Sequence, residues 1–191
     1  MSTVQTFTFT DQQFAQAVGC SLSVAQALRA DQFRAAMALY AIDSPLRAAH
    51  FLAQVGHESL SLTFTRELWG PTPAQQRYEP GTVNSLAPRL GNTQPGDGQR
   101  YLGRGFIQIT GRSNYAQVSK ALGHDFVANP ADLQADAWPV VSACWFWNSR
   151  SLNVNADADD LLGVTRAING GTNGLDDRRA RLAKAKQAFG I

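Results

Sequence analysis

The sequence predicts a mainly α-helical protein with one small β-hairpin near residues 101–110. Helix-start signals followed by apolar stripes of helical spacing recur through most of the chain. Alternation of polar and apolar residues beside glycines, typical of a hairpin, marks the segment 101–110. A length of 191 residues, 44% hydrophobic and 17% charged, suits a single domain. We therefore expect one domain over 1–191, with N-terminal helices 1–43 packed on a core of 44–191.

The N-terminal region is expected to form three short helices. Thr10 and Gln13 have the spacing of a capping box, which would begin the first helix. Ser23 offers a second capping box, and Asp31 is placed to begin a third helix. The first residues, 1–6, lack the basic and apolar parts of a signal peptide, which predicts a product made in the cytoplasm.

Two glutamates, Glu58 and Glu67, lie nine residues apart after a helix that should begin at Ser44 and Pro45. On one continuous helix they would be about 13.5 Å apart along the axis and on opposite faces. Residues 59–65 alternate with a period of two, so we expect the helix to end soon after Glu58 in a β-like turn. Surface glutamates at this spacing are common, and the pair alone does not establish a site.

The rest of the chain is interpreted from its composition. Proline and glycine recur through residues 70–100, which we interpret as a loop forming the wall of a cleft. The apolar segment 138–147 predicts a buried helix, with sugar stacking by one of its tryptophans as the lesser alternative. Cys20 and Cys144 are expected to be buried free thiols. The last helix carries a basic cluster, interpreted as a solvated face: Arg178, Arg179, Arg181, Lys184 and Lys186.

The segment 96–115 contains the residues most suggestive of binding. Its glycines do not form a phosphate loop, because the third glycine and the lysine of such loops are missing. Gln108, Thr110 and Asn114 supply neutral donors and acceptors, which are the groups that carbohydrate recognition needs.

Residues 103–110, followed by Asn114 and Tyr115, resemble the signature of glycoside hydrolase family 19. The resemblance extends over roughly 44–191, and the segment 67–75 is similar to the phage-endolysin branch of the family. Further matches lie in the expected order: His57 with Glu58, Glu67, residues 167–171, and Asp177 with Arg178. Several separated matches are more specific than any single motif.

The resemblance implies a lysozyme-like fold and a role for each matching residue. It makes Glu58 the general acid, Glu67 the general base and Thr110 the residue that holds the attacking water, with inversion at the sugar carbon. It also implies that Arg178 pairs with a catalytic carboxylate. The residues expected to line the sugar subsites are His57, Tyr101, Gln108, Asn114, Asn169 and Arg178.

Two positions depart from the chitinases of this family. Phe106 stands where proline or alanine is frequent, and Ser113 replaces an aromatic residue next to Asn114. We therefore expect an endolysin-type enzyme that cleaves the glycan strands of bacterial peptidoglycan. Its expected partners are those strands, with no nucleic acid and no stable membrane insertion, and no metal or other cofactor is implied.

The enzyme is expected to be a monomer that waits in the cytoplasm until a holin or a secretion device releases it to the cell wall. Four alternatives stay open at this point. They are a chitinase, a secreted antibacterial toxin with an immunity protein, a lytic transglycosylase, and a carbohydrate-binding module without catalysis. Intact Glu58, Glu67 and Thr110 argue against the last of these.

Overall fold

The computed structural model describes residues 7–191, so the signal-peptide prediction, which concerns residues 1–6, lies outside the described residues. The prediction of a mainly helical protein is confirmed. The contacts divide the chain into two compact units, the first comprising Met1–Thr63 with Ala143–Ile191 and the second Phe64–Ser142. Organisation as one domain stays a prediction. Within the described residues, no helix is both long and apolar enough to span a bilayer.

The first unit is built from helices at both ends of the chain. Before the second unit come α1 (Asp11–Val18), α2 (Leu22–Val24), a π-helical segment (Ala25–Arg29), α3 (Ala30–Leu39) and α4 (Pro45–Glu58). After it come the end of α9 (Trp138–Ser149), α10 (Leu152–Asp157), α11 (Leu161–Asn169) and α12 (Leu175–Phe189).

The helix starts in the first unit follow the capping signals in part. Thr10 and Gln13 form the expected capping box at α1, and Ser44 caps α4 with Pro45 in its first turn. The starts predicted at Ser23 and Asp31 are wrong. Ser21 is the cap instead, and helix continues without a break from α2 through the π-helical segment into α3.

Helix α4 is the centre of the first unit. It packs against α12, α1, α10 and α11, and most of its residues are buried. Its Phe51 lies between Phe33 and Trp147, with ring centroids 6.3 and 5.4 Å away. Trp147 is fully buried, so it belongs to the core, as predicted for this segment. Both cysteines are free, but only Cys144 is buried, whereas Cys20 is partly exposed.

The chain leaves α4 through a tight left-handed turn. The helix ends at Glu58, as predicted, but the β-like turn expected for residues 59–65 is wrong. Leu60, Ser61 and Leu62 all have positive φ angles, of 48°, 58° and 68°. The buried Ser59 hydroxyl donates to the Val55 carbonyl and accepts from the Leu62 amide at 2.9 Å. This turn reverses the chain directly after Glu58.

The second unit combines short helices with long turns. It contains α5 (Pro73–Gln76), α6 (Ala87–Leu90), α7 (Asp97–Arg100), α8 (Arg112–Leu122), a 3-10 helix (Pro130–Gln134) and the start of α9. The loop predicted for residues 70–100 therefore carries three one-turn helices. Glu79 joins two parts of this loop, because its carboxylate accepts hydrogen bonds from the backbone amides of Gly96 and Gln99.

The predicted hairpin near residues 101–110 is a minimal one. Arg104 and Ile109 exchange both backbone hydrogen bonds, at 3.2 and 2.8 Å, and Arg104 also bridges to Arg66. Ile107 and Ile109 are buried, whereas Gln108 and Thr110 are only partly buried. The alternation of polar and apolar residues therefore matches the alternating burial of these side chains. No extended strands form within residues 7–191.

Candidate active site

Glu58, the last residue of α4, is held by a buried guanidinium group. The Nη2 atom of Arg178 in α12 donates to Glu58 Oε1 at 2.5 Å, and Arg178 is only 2% exposed. Arg178 also donates to Gln54 Oε1 and, at 3.2 Å, to the carbonyl of Asn173. The pairing of Arg178 with this carboxyl group is the one that the family resemblance implied. Arg178 is too buried to line a sugar subsite itself.

This environment differs from the apolar one that the sequence suggested for Glu58. Glu58 has a buried guanidinium group as its neighbour where apolar side chains were expected. The pair also fixes the orientation of the carboxyl group. Oε1 faces Arg178, and Oε2 has no hydrogen-bond partner among the described residues. A protonated Glu58 can accept the same bond at Oε1 and present its proton from Oε2.

His57 is oriented by a second contact with α12. Its Nδ1 lies 2.7 Å from Asp177 Oδ2, and the same oxygen accepts from Arg181 Nε at 2.7 Å. Burial acts to raise the pKa of Asp177, but the hydrogen bonds from His57 and Arg181 outweigh it and lower that pKa. Gly174 lies against the imidazole so closely that a Cβ atom there would be 2.3 Å from Cε1. The ring is therefore fixed on two sides.

Glu67, in the second unit, is surrounded by hydrogen-bond donors. Gln75 Nε2 donates to Glu67 Oε1 at 2.9 Å, and the Gly103 amide donates to Oε2 at 3.2 Å. The Tyr78 hydroxyl lies 3.5 Å from Oε1. Burial and the Glu67 carboxylate both raise the pKa of Tyr78, which stays a neutral donor at neutral pH. Both oxygens of Glu67 therefore accept hydrogen bonds, which fixes the orientation of its carboxyl group.

Gly103 connects Glu67 with the residues of the signature segment. Its carbonyl accepts from the Glu67 amide at 2.7 Å, and a Cβ atom on it would lie 2.5 Å from Gln108 Oε1. Thr110 follows, and its carbonyl accepts from Asn114 Nδ2 at 2.7 Å. The Thr110 hydroxyl has no hydrogen-bond partner within residues 7–191. It can therefore bind a water molecule or a sugar hydroxyl.

Tyr101 and Asn169, also predicted to line the sugar subsites, both form hydrogen bonds within the protein, and the subsite role of the partly exposed Asn169 stays a prediction. Tyr101 is 1% exposed, its hydroxyl donates to the Val127 carbonyl, and its ring lies under the Arg112 guanidinium. This burial contradicts a direct contact with sugar. Asn169 uses both ends of its amide to close the turn after α11, donating to Asn173 and accepting from Gly171. That turn supplies the carbonyl that Arg178 also contacts.

The predicted residues thus fall into two clusters, one in each unit. The first contains His57, Glu58, Arg178 and Asn169, and the second contains Glu67, Gln108, Thr110 and Asn114. Sequence reasoning missed the residues that hold these groups, which are Gln54, Gln75, Tyr78, Gly174 and, as the partner of His57, Asp177. Gln75 lies within the segment that resembles endolysins, and the Gln54–Glu58 spacing places both on one helix face. The long-range contacts left no periodic signal.

Known proteins resemble this chain over most of its length. The family model described as chitinase class I of glycoside hydrolase family 19 matches residues 43–167. A family 19 domain-containing protein of Haemophilus influenzae is 40% identical over 159 positions, covering 70% of this chain and 75% of the relative. An endochitinase of Arabidopsis thaliana is 38% identical over 127 positions. That match covers 64% of this chain but 38% of the plant protein.

Solved structures support the fold. Chitinase C from Streptomyces griseus superposes with a TM-score of 0.71 at 21% identity, covering all of this chain and 96% of that one. Another bacterial family 19 chitinase gives a TM-score of 0.72 at 22% identity, with coverages of 97% and 96%. Structural similarity at 21% and 22% sequence identity supports the fold alone. Membership of the family is shown by the family model and by the Haemophilus relative. The chain therefore belongs to glycoside hydrolase family 19, a family of glycosidases.

Proposed function

We propose that the protein hydrolyses a glycosidic bond with Glu58 as general acid and Glu67 as general base. The observation that carries this proposal is the contrast between the two carboxyl groups. Glu67 accepts hydrogen bonds on both oxygens, whereas Glu58 has one oxygen bound by Arg178 and the other without a partner among the described residues. In the reaction, Glu58 protonates the glycosidic oxygen as its bond to the sugar carbon breaks. Glu67 removes a proton from the water whose oxygen bonds to that carbon, with inversion.

Thr110 is proposed to hold the attacking water together with Glu67. Its hydroxyl, which has no partner in the described part of the chain, and its place in the same unit as Glu67 support this role. His57, Gln108, Asn114 and Asn169 are proposed to contact the sugars. His57 is 25% exposed at its side chain and presents Nε2, which has no partner in the described part of the chain. An acceptor at that position suits the hydroxyl and acetamido N–H donors of N-acetylated sugars.

The proposed substrate is the glycan strand of bacterial peptidoglycan, and the proposed enzyme type is an endolysin. Ser113 supports this choice, because it is small and exposed beside Asn114. Peptidoglycan carries a lactyl-peptide on alternate sugars, and a small side chain leaves room for it where an aromatic ring would not. The Haemophilus relative, which this chain covers to 75%, also supports a bacterial enzyme of similar size.

The basic cluster of α12 gives little support to binding of an anionic wall. Most of its cations are engaged within the protein: Arg178 with Glu58, Arg179 with Asp176, Arg181 with Asp177 and Lys186 with Asp159. The prediction of a solvated basic face is therefore wrong for Arg178, which is buried, whereas Arg179 and Lys184 are exposed. Opposite charges beside each cation reduce the field that would attract a polyanion.

The alternative is hydrolysis of chitin, favoured by the printed names of the plant and Streptomyces relatives. Purified peptidoglycan sacculi and N-acetylglucosamine oligomers should be digested in parallel, and the products analysed by mass spectrometry. Muropeptides with hydrolysed reducing ends, and slow or absent cleavage of the oligomers, are expected. Products with anhydro-sugar ends would instead indicate lytic transglycosylation. Efficient oligomer cleavage without muropeptide release would reject the peptidoglycan proposal in favour of chitinase.

The acid and base roles are tested with the same substrates. Glu58→Gln should abolish turnover on whichever glycan the wild type cleaves, while its folding stays intact. Glu67→Gln and Thr110→Val should be non-additive, because groups that act on one water lose their joint effect once either is removed. We also propose that the enzyme acts on the cell wall after holin-dependent release. Lysis after co-expression with a holin, and none without it, would distinguish this from a toxin secreted with an immunity protein.

A further inference from the structure

Gln75 is a buried amide whose hydrogen-bonding capacity is completely used. Its Nε2 donates to Glu67 Oε1 at 2.9 Å and to the Leu68 carbonyl at 2.7 Å. Its Oε1 accepts from the amides of Gly70 at 3.1 Å and Thr72 at 2.8 Å. The residue is 4% exposed. Two donors and two acceptors are therefore matched with four partners.

These partners determine which way the amide faces. Exchanging its oxygen and nitrogen would place two acceptors against each other at both Glu67 and Leu68, and two donors against each other at Gly70 and Thr72. The –NH₂ group must therefore face Glu67. A donor that cannot turn away requires an acceptor at Glu67 Oε1, and a carboxylate provides one whereas a carboxyl O–H at that oxygen would not.

The backbone around Gln75 is also fixed. Thr72 caps the short helix α5, and Pro73 is the first residue of that helix. The backbone N–H of Gln75 donates to Thr72 Oγ1 at 3.3 Å. The same Gln75 oxygen completes the capping box by accepting from Thr72. One side chain therefore joins the helix cap to the proposed base.

From this geometry we propose that Gln75 is a positioning residue that holds Glu67 in one orientation, with Oε1 kept free of a proton. The proposal rests on the role of Glu67 as general base and deepens it. Gln75 itself takes no part in proton transfer. It acts by supplying a donor whose direction is set by Leu68, Gly70 and Thr72.

The test compares Gln75→Glu with Gln76→Glu. Both variants add one negative charge to α5, but Gln76 is exposed and makes no side-chain hydrogen bond with residues 7–191. Gln75→Glu removes both donors and places a like charge against Glu67. At the pH optimum, kcat should fall by about 100-fold with KM changed little, because the base is misplaced. The acidic limb of the pH–rate profile should move to higher pH by about one unit. Gln76→Glu should leave both properties unchanged.

A direct titration keeps this inference separate from the proposed function. The Glu67 carboxyl carbon is followed by ¹³C NMR and assigned with Glu67→Gln. Its titration midpoint should move to higher pH in Gln75→Glu and stay in place in Gln76→Glu. Gln75→Met, which removes the donors without adding charge, should shift it in the same direction by less, and serves if the glutamate variant fails to fold.

Three outcomes decide between the ideas. Unchanged midpoints in both folded Gln75 variants would overturn the positioning role. If the Gln75 variants shift the Glu67 midpoint but the wild-type protein cleaves neither glycan, Gln75 keeps its positioning role and the proposed hydrolase function is rejected. A loss of kcat with an unchanged pH profile would assign Gln75 to packing alone, and would also overturn the proposal.

Discussion

The imidazole of His57 and the carboxylate of Asp177 are joined by a 2.7 Å hydrogen bond between α4 and α12. Because the Asp177 carboxylate accepts this hydrogen bond, the neutral imidazole of His57 carries its proton on Nδ1, and Nε2 is left as an acceptor. The neighbouring residues, Glu58 and Arg178, form a parallel ion pair between the same two helices. Helix α12 therefore orients the side chains of both His57 and Glu58, the last two residues of α4.

The first prediction is that Asp177→Asn lowers glycosidase activity much more than Asp176→Asn. Both residues lie in the first turn of α12, so each substitution removes the same favourable interaction between a negative charge and the helix dipole. Asp176 is exposed and pairs with Arg179, whereas Asp177 orients His57. We expect roughly a 10-fold to 100-fold loss of kcat for Asp177→Asn and little change for Asp176→Asn. Equal effects of the two substitutions on kcat would refute the orienting role.

The second prediction concerns the contact of Gly174 with the His57 ring. Gly174→Ala should reduce both stability and activity, whereas Gly190→Ala should reduce stability alone. The two glycines flank α12 with φ angles of 70° and 74°, so alanine is strained at both by about 1–2 kcal/mol. A Cβ atom at position 174 would lie 2.3 Å from the His57 ring, whereas one at position 190 would have no described residue within 4 Å. Urea unfolding and kcat separate the two effects, and retained activity in Gly174→Ala would contradict the contact.

Local signals in the sequence predicted the elements better than the turns between them. Ser44 and Pro45 mark the start of α4, and its end at Glu58 followed from the distance that a longer helix would impose on Glu67. The turn after Glu58 was not predictable. It is left-handed at leucine and serine, which have no intrinsic preference for that conformation. The buried Ser59 hydroxyl stabilises it through contacts that the sequence does not display.

The candidate site shows the same limit. A motif identifies which residues carry the chemistry, but the partners that hold them come from distant positions. Arg178 is 120 residues from Glu58, and Asp177 is equally far from His57. Tyr101 shows the opposite case, because the family resemblance implied sugar binding although its side chain is buried in the core. Spacing in the sequence carries no information on burial at such positions.

The third prediction is that Asp97 and Arg112 make the second unit sensitive to acid. Asp97 is 2% exposed and receives two hydrogen bonds from Arg112, at 2.6 and 2.9 Å. Burial acts to raise the pKa of Asp97, but bonds from Arg112 and from the amides of Thr93 and Gln94 outweigh it and lower that pKa. A lowered folded-state pKa stabilises the protein above the unfolded-state value of about 3.9, and this stabilisation is lost as the pH falls through the folded-state pKa.

Urea unfolding between pH 2 and 7 measures this contribution. Asp97→Asn should cost about 3 kcal/mol at pH 7, because it leaves Arg112 without its partner. The cost should shrink as the pH falls below about 4, since the Asp97 carboxylate of the unfolded chain is then protonated, and it should vanish once the pH has passed the lower folded-state pKa. Arg112→Lys keeps the charge but cannot form both bonds, and should lose less. A cost for Asp97→Asn that is independent of pH would show that the carboxylate charge contributes nothing.

The fourth prediction uses the strained turn after Glu58. Leu60 has a φ angle of 48° and is 59% exposed, so its side chain gains little from burial while its backbone is strained. Asparagine adopts this conformation more readily, and Leu60→Asn should raise the free energy of unfolding by roughly 0.5–1 kcal/mol. Leu39→Asn is the matched control, since Leu39 is 80% exposed but ends the helix α3. There the lower helix propensity of asparagine should cost up to about 0.5 kcal/mol. Opposite signs are therefore expected for one substitution at two exposed leucines. Equal destabilisation at both positions would mean that the turn is not strained at Leu60.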